Sequence, residues 1–198
     1  MLDNKNLSLI RDFAFLNSEK DDIHGFSHVK RVYDLCLKLG KKLNANLSVL
    51  QIAALLHDIG RTHEKNITNN IKNHAELSAE IASEFLQSQA FSLSQEEHER
   101  IIHCIRSHSF SNNSNPQTLE AKILSDADKL DALGAIGLYR TIGFTIQNHG
   151  GIDQVINHLE NKIMKLKDLL YLDISKRIAE ERQQIILNFY NQIKKQKI

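Results

Sequence analysis

The stretch from Ile52 to Gly60, with the sequence IAALLHDIG, constrains the fold of this chain more than any other. Apolar side chains fill almost every position up to the neighbouring pair His57 and Asp58, and Gly60 is a residue type at which helices commonly end. An imidazole and a carboxylate at the end of an apolar helix need a partner, because a buried and unpaired charge is costly. A divalent cation would satisfy both, so the sequence predicts a metal site that other segments complete.

The composition favours helix nearly throughout. The 198 residues are 41% apolar and 25% charged, with one proline and eight glycines, and helix-forming residue types dominate. We therefore predict an all-α fold, a bundle of about seven to nine helices that ends in two long ones. The chain is long enough for a single domain over residues 1–198, with its core over about 20–140 and a C-terminal helical extension over about 151–196.

Charge and cysteine content indicate a cytoplasmic protein. The formal net charge of +1 gives no electrostatic reason to expect nucleic acid or an anionic membrane as a partner. The sequence has neither an apolar run of membrane-spanning length nor a charged leader followed by an apolar stretch. Cys36 and Cys104 form no Cys-x-x-Cys pair and are expected to be reduced thiols.

Hydrophobic periodicity predicts the individual helices. They are expected over residues 5–18 and 27–43, from about Ser48 as N-cap, from about 73, over 94–107, from about Thr118 as N-cap, and over 152–170 and 175–195. Residues 61–72 and 109–117 are predicted to be polar loops. The small residues after Leu133 and the NHGG loop that follows are assigned to no helix.

Two further histidines point inward on these helices. His74 falls within an arc of about 80° with three apolar residues of its helix, Leu77, Ile81 and Phe85, by the step of about 100° per residue. The same count groups His108 with the apolar face of its helix and turns His103 away from it. His108 therefore ranks above His103 as a site residue, although a core or rim histidine would show the same pattern.

Three acids lie in an unusually apolar stretch, LSDADKLDALGAIG, which runs from Leu124 to Gly137. Three carboxylates among leucines, isoleucines and alanines are difficult to place without a cation. The helical count puts Asp131 inside the apolar arc and puts Asp126 and Asp128 on its opposite flanks. Periodicity alone does not choose among them.

The order of these groups resembles the HD superfamily of metal-dependent phosphohydrolases. His28, the His57–Asp58 pair and an acid in DADKLD follow one another as in that family, and HGFSHVKRV, DADKLDALGAIG, KIMKLKDLL and AEER are similar to a small bacterial subgroup. The resemblance covers roughly residues 20 to 190. It implies an all-helical HD-domain bundle.

The resemblance also implies the ligand set, with a metal held by His28, His57, Asp58 and a late aspartate. Asp128 is that aspartate because it stands in an Ala-Asp-Lys context, with Asp126 as the runner-up and Asp131 as an acceptor behind the ligands. Some members bind two metals through extra histidines, a role that His74 and His108 could take. Since Arg61 stands where another carboxylate would be wanted, one ion is expected.

Two imidazoles and two carboxylates make a mixed nitrogen and oxygen site. Such a site suits Mn, Fe, Co, Ni or Zn, and is poorer for Mg, which prefers an all-oxygen shell. A metal there would activate a water for attack on a phosphoester or phosphoanhydride bond of a small phosphorylated molecule, with a nucleotide as the expected substrate. Asp58 and Arg61 are assigned to catalysis, and Arg61, Lys129, His74 and His108 to substrate contact.

Other functions remain as alternatives. His24 and His28 have the spacing of a zinc-protease helix, but HGFSH lacks the Glu of H-E-x-x-H, so His24 is interpreted as a wall residue or a structural one. The same pocket could serve a regulatory module that binds metal or nucleotide without turnover. The C-terminal helices could complete the core or pair with a second subunit to form a homodimer. The HD-GYP type of cyclic dinucleotide hydrolase is disfavoured because SFSNNSN follows His108.

Overall fold

The computed structural model describes residues 3–64, 73–89, 91–109 and 114–197, and the helices it contains confirm the predicted all-α fold. In chain order they are α1 (Asn4–Leu16), α2 (Phe26–Leu43), α3 (Leu47–Leu56), α4 (Arg61–Glu64), α5 (His74–Ser88), α6 (Gln95–Ser107), α7 (Leu119–Asp131), α8 (Gly134–Gln147), α9 (Ile152–Asn161), a 3₁₀ helix (Ile163–Leu169) and α10 (Asp173–Gln196). The chain forms two compact units, Met1–Ser125 and Asp126–Ile198, and the division falls inside α7. The single domain predicted over 1–198 stays a prediction.

The first unit is built around α3. This helix contacts α1, α2, α5 and α6, and its residues from Val49 to Leu56 are buried except for the half-buried Gln51. Its N-cap is Asn46, whose Oδ1 accepts hydrogen bonds from the N–H groups of Ser48 and Val49, so the prediction of Ser48 as N-cap was wrong by two residues. The apolar stretch that leads to His57 therefore forms the centre of this unit.

A carboxylate ties the start of α3 to two other helices. Glu120 in the first turn of α7 accepts hydrogen bonds from the Asn46 N–H at 2.8 Å and from Nη2 of Arg100 on α6 at 2.8 Å. Thr118 caps α7 as predicted, since its Oγ1 accepts from the N–H of Ala121. These contacts fix the register of α3 and, with it, the position of the residues at its far end.

The second unit contains α8, α9, the 3₁₀ helix and α10, which pack against one another. Residues 134–147 form the helix α8, which was not predicted, and they include glycines and β-branched residues, which are poor helix formers. In α8 the buried hydroxyls of Thr141 and Thr145 donate to carbonyls four residues earlier. Packing therefore outweighs propensity in this segment.

Two more predictions need correction. The helix expected over 152–170 is divided, because the backbone at Lys162 leaves helical geometry (φ −129°, ψ −63°) and a 3₁₀ helix follows. Residues 61–64 of the predicted 61–72 loop form the short helix α4, and residues 65–72 lie outside the described residues, as do 110–113 of the second loop. Among the described helices, none combines the length and apolarity needed to cross a membrane.

Candidate metal centre

His57 and Asp58 follow directly on α3. His57 is the C-cap residue, and its Nδ1 lies 2.8 Å from the carbonyl oxygen of Ala54. Because a carbonyl can only accept, Nδ1 carries the proton and Nε2 presents a lone pair. This is the tautomer in which an imidazole binds a metal through Nε2.

Gly60 has a different role from the one predicted. The structure gives it no left-handed backbone, and α3 has already ended at Leu56. A Cβ at this position would lie 2.5 Å from the Ser78 backbone nitrogen and 2.7 Å from the His74 carbonyl oxygen, and the Gly60 N–H donates to Ser78 Oγ at 2.9 Å. Glycine is therefore required because the turn after Asp58 packs directly on the backbone of α5.

Three other elements supply imidazoles to the same place. His28 lies in the first turn of α2, His74 is the first residue of α5, and His108 is the C-cap residue of α6. All three are buried, as is His57. Nδ1 of His108 lies 2.6 Å from the Ile105 carbonyl, so His108 presents its Nε2 by the same helix-end contact as His57.

The Asp58 carboxylate lies among these four rings. Its Oδ2 is 3.5 Å from His28 Nε2 and 3.7 Å from His57 Nε2. Its Oδ1 is 3.5 Å from His108 Nε2 and 3.7 Å from His74 Nε2. Asp58 is therefore common to two groups of three potential ligands, one with His28 and His57 and one with His74 and His108.

The arrangement suits a cation. Nε2 of His28 and Nε2 of His57 approach to 3.4 Å although His57 offers a lone pair there. Within the described part of the chain, Asp58 Oδ1 and His108 Nε2 are buried atoms without a hydrogen bond. A buried carboxylate oxygen and a buried imidazole nitrogen that make no hydrogen bond are unfavourable unless a positive ion binds them. Buried imidazole nitrogens and carboxylate oxygens are also the donors that divalent transition metals accept.

Arg61 contributes the positive charge closest to the carboxylate. Its Nε donates to Asp58 Oδ2 at 2.5 Å. Burial alone would raise the pKa of the Asp58 carboxyl, but Arg61 and the surrounding imidazoles hold that pKa well below its usual range. Asp58 is thus ionised at neutral pH, and Arg61 lies directly beside it.

Two other histidines of the first unit, His24 and His103, were considered as site residues. His24 precedes α2 and is half-buried, and its backbone N–H donates to Asp21 Oδ1. His103 accepts from the Gln117 N–H, whereas His108 is buried with its Nε2 beside Asp58; the ranking of His108 above His103 as a site residue stays a prediction.

In the second unit, Asp126 and Asp131 of DADKLD accept hydrogen bonds from other segments. Asp126 accepts the N–H of Tyr171 at Oδ1 and the N–H of Leu172 at Oδ2, both at 2.9 Å. Asp131 accepts from Nη1 of Arg140 at 2.8 Å. Asp128 is half-buried and Lys129 is buried. The role of Asp128 as a ligand stays a prediction.

Sequence reasoning missed the residues that hold the end of α7. Besides Arg140, Arg182 donates from Nη1 to the Leu130 carbonyl at 2.5 Å. Arg182 is the last residue of the AEER motif, so that motif was the available signal, although the sequence alone did not show what it contacts. Gly134, with φ of 78°, makes the turn from α7 into α8 that the arginines flank.

Residues 25–133, more than half of the chain, match the HD domain family, and the chain belongs to that family. It is 33% identical to the Bacillus subtilis (strain 168) protein YpgQ over 180 residues, 87% of this chain and 83% of YpgQ. The crystal structure of YpgQ in complex with ADP superposes with a TM-score of 0.75 at 30% identity, covering 96% of both chains. A Bacillus thuringiensis HD-superfamily hydrolase gives a TM-score of 0.72 at 28% identity over 96% of each chain.

Proposed function

We propose that this protein is a metal-dependent phosphohydrolase that cleaves a phosphoester or phosphoanhydride bond of a nucleotide. Membership of the HD family gives the hydrolase class. The observation that carries the proposal is the buried Asp58 carboxylate with imidazole nitrogens 3.5 to 3.7 Å from both of its oxygens. A buried carboxylate surrounded by imidazole nitrogens has a clear chemical use in binding a divalent cation.

His28, His57 and Asp58 would hold the ion, with Asp128 as the fourth protein ligand. The assignment of Asp128 rests on the family resemblance. A divalent cation bound there supplies Lewis acidity that activates water and polarises a phosphoryl group. Mn, Fe, Co, Ni or Zn suits this donor set better than Mg.

The protein's own cations would complement the phosphate. Arg61, 2.5 Å from Asp58, can meet a phosphoryl oxygen beside the ion, since a guanidinium matches phosphate geometry with two parallel donors. Lys129 would meet another phosphate oxygen. His74 and His108 lie on the Oδ1 side of Asp58, where they would contact a phosphate oxygen or contribute to a second ion. The ADP complex of YpgQ supports a nucleotide as the ligand.

A screen of purified protein tests the proposal. Mn, Co, Ni, Zn and Mg are added in turn, and nucleoside mono-, di- and triphosphates and cyclic dinucleotides are assayed for release of phosphate or pyrophosphate. We expect turnover with at least one transition metal and weaker turnover with Mg. Silence across all substrates, with metal shown to be bound by elemental analysis, would contradict catalysis on nucleotides and favour the regulatory module instead.

Asp58→Asn provides the matched test of the site. The amide cannot supply the anionic ligand shared by both groups of histidines, so bound metal and turnover should both be lost. Asp168→Asn, at an exposed aspartate of the 3₁₀ helix, should change neither. Circular dichroism establishes that both variants remain helical. Full activity in Asp58→Asn would refute the assigned role.

A further inference from the structure

A single carboxylate fixes the short segment that joins the 3₁₀ helix to α10. The N–H groups of Tyr171 and Leu172 both donate to Asp126, one to each oxygen, at 2.9 Å. On either side of Tyr171 the chain is anchored by the buried Leu170 and by the start of α10 at Asp173. The backbone at Tyr171 is thus held to the helix that carries the acids of DADKLD.

Tyr171 nevertheless exposes much of its side chain. It is 43% exposed, although two consecutive N–H groups at this point are used to hold the chain in place. A ring on a fixed backbone loses little conformational freedom when it binds a flat ligand, because only two side-chain angles remain to be ordered. The position is therefore suited to recognition of another planar group.

The same ring lies beside Lys129, which is predicted from the sequence to contact the substrate. Lys129 Nζ is 5.5 Å from the centre of the Tyr171 ring, within the range of a cation–π interaction. Lys129 is only 6% exposed. An aromatic surface and a phosphate-binding cation thus lie together in one unit.

We propose that Tyr171 determines specificity for nucleotides by stacking on the base while Lys129 contacts the phosphates. Nucleotides present a planar base and an anionic group within one small molecule, which matches an exposed ring next to an ammonium group. Stacking of a base on an aromatic side chain changes affinity by about 5- to 100-fold when the ring is removed. The inference rests on the proposed function, because it takes Lys129 to be a substrate contact.

The absence of tryptophan from the sequence permits a direct binding test. Tyr171→Trp gives the chain a single indole at the proposed stacking position, and its fluorescence is titrated with ADP, GDP and inorganic tripolyphosphate. We expect saturable quenching by ADP and GDP and none by tripolyphosphate. Tyr139→Trp, at an exposed tyrosine of α8, is the control and should show no saturable change. Lys129→Met in the Tyr171→Trp background should weaken the ADP response about 10-fold or more.

Kinetics give a second and independent measurement. Tyr171→Leu should raise KM for a nucleotide substrate by about 5- to 100-fold with a smaller change in kcat, and Tyr171→Phe should restore the parent KM, because stacking needs the ring and not the hydroxyl. If Tyr171→Leu fails to fold, the Phe and Trp variants still decide the question.

The outcomes separate this inference from the proposed function. Turnover of nucleotides with no quenching in Tyr171→Trp would overturn the stacking role and leave the hydrolase intact. Quenching by ADP without turnover of any substrate would support the stacking role and overturn the hydrolase. Equal quenching by tripolyphosphate, or an equal response in the Tyr139→Trp control, would also overturn stacking.

Discussion

The close approach of Gly60 to α5 predicts a large effect from one added methyl group. In Gly60→Ala the Cβ would lie 2.5 Å from the Ser78 nitrogen, 2.7 Å from the His74 carbonyl oxygen and 2.8 Å from Leu77 Cβ. Since favourable separations for carbon are about 3.5 to 4.0 Å, the turn and α5 must separate by about 1 Å. Two of the three clashing atoms belong to the backbone, so no side-chain rotation relieves them.

The loss of stability on that separation should be similar to that of other overpacked cores. Inserting a methyl group into a filled core costs about 1 to 3 kcal/mol, which for a chain of this size lowers Tm by about 2 to 12 °C. His74 is the first residue of α5 and moves with it, so its Nε2 leaves its position 3.7 Å from Asp58 Oδ1. Displacement of the turn also moves Asp58, the proposed ligand two residues before Gly60, so we expect metal affinity to fall about 10-fold or more.

Thermal unfolding followed by circular dichroism, together with a metal competition titration, measures both effects. Gly151→Ala is the control, because a Cβ there meets only Gln154 Oε1 at 3.7 Å, and it should leave Tm and metal affinity near those of the parent. A Gly60→Ala variant with an unchanged Tm would show that the turn relaxes without moving α5, and would refute the steric reasoning.

Three further predictions use other contacts. Asp126→Asn should lose about 1 to 3 kcal/mol of stability and keep its metal, because an amide cannot accept one N–H group at each of two oxygens as a carboxylate does. Asp128→Asn should lose metal and keep stability. Denaturant unfolding and elemental analysis measure the two effects, and the reverse pattern would contradict the ligand assignment. Burial opposes ionisation of Glu120, but its hydrogen bonds from the Asn46 N–H and from Arg100 lower its pKa below the ordinary 4.5. Its contribution to the free energy of unfolding is therefore present above that pH and is lost as the pH falls. Glu120→Gln should cost about 1 to 3 kcal/mol of stability at pH 7 and less at pH 3, whereas Glu96→Gln, at an exposed glutamate, should cost little at either pH. Both cysteines are buried, and burial raises the pKa of the Cys104 thiol to about 12. Neither thiol should therefore react with a disulfide reagent at pH 8 until the protein is unfolded, and rapid labelling of the native protein would contradict this.

Much of the first unit could be predicted from local sequence. The apolar run before His57 and the periodicity around His28 and His108 set which side chains face inward, since burial of apolar residues determines the orientation of each helix. The inward direction of His74 followed from the same count. What the count could not supply was the division of four imidazoles between the two oxygens of Asp58, because that depends on contacts among α2, α3, α5 and α6.

The second unit was harder to predict, for two physical reasons. The helix α8 contains glycines and β-branched residues that favour other conformations, and it forms because tertiary packing outweighs that preference. The roles of the acids in DADKLD depend on partners far along the chain. Asp126 meets N–H groups 45 and 46 residues away, and no periodicity within a helix carries that information.

The central position of α3 has a consequence for how metal preference can be altered. Four helices surround α3, so His57 and Asp58 cannot be repositioned without disturbing the core. His74 and His108 lie on the Oδ1 side of Asp58 and belong to α5 and to the end of α6, so exchanging their side chains leaves α3 in place. Attempts to change the preferred ion should therefore begin with substitutions at positions 74 and 108, and should leave His57 and Asp58 unchanged.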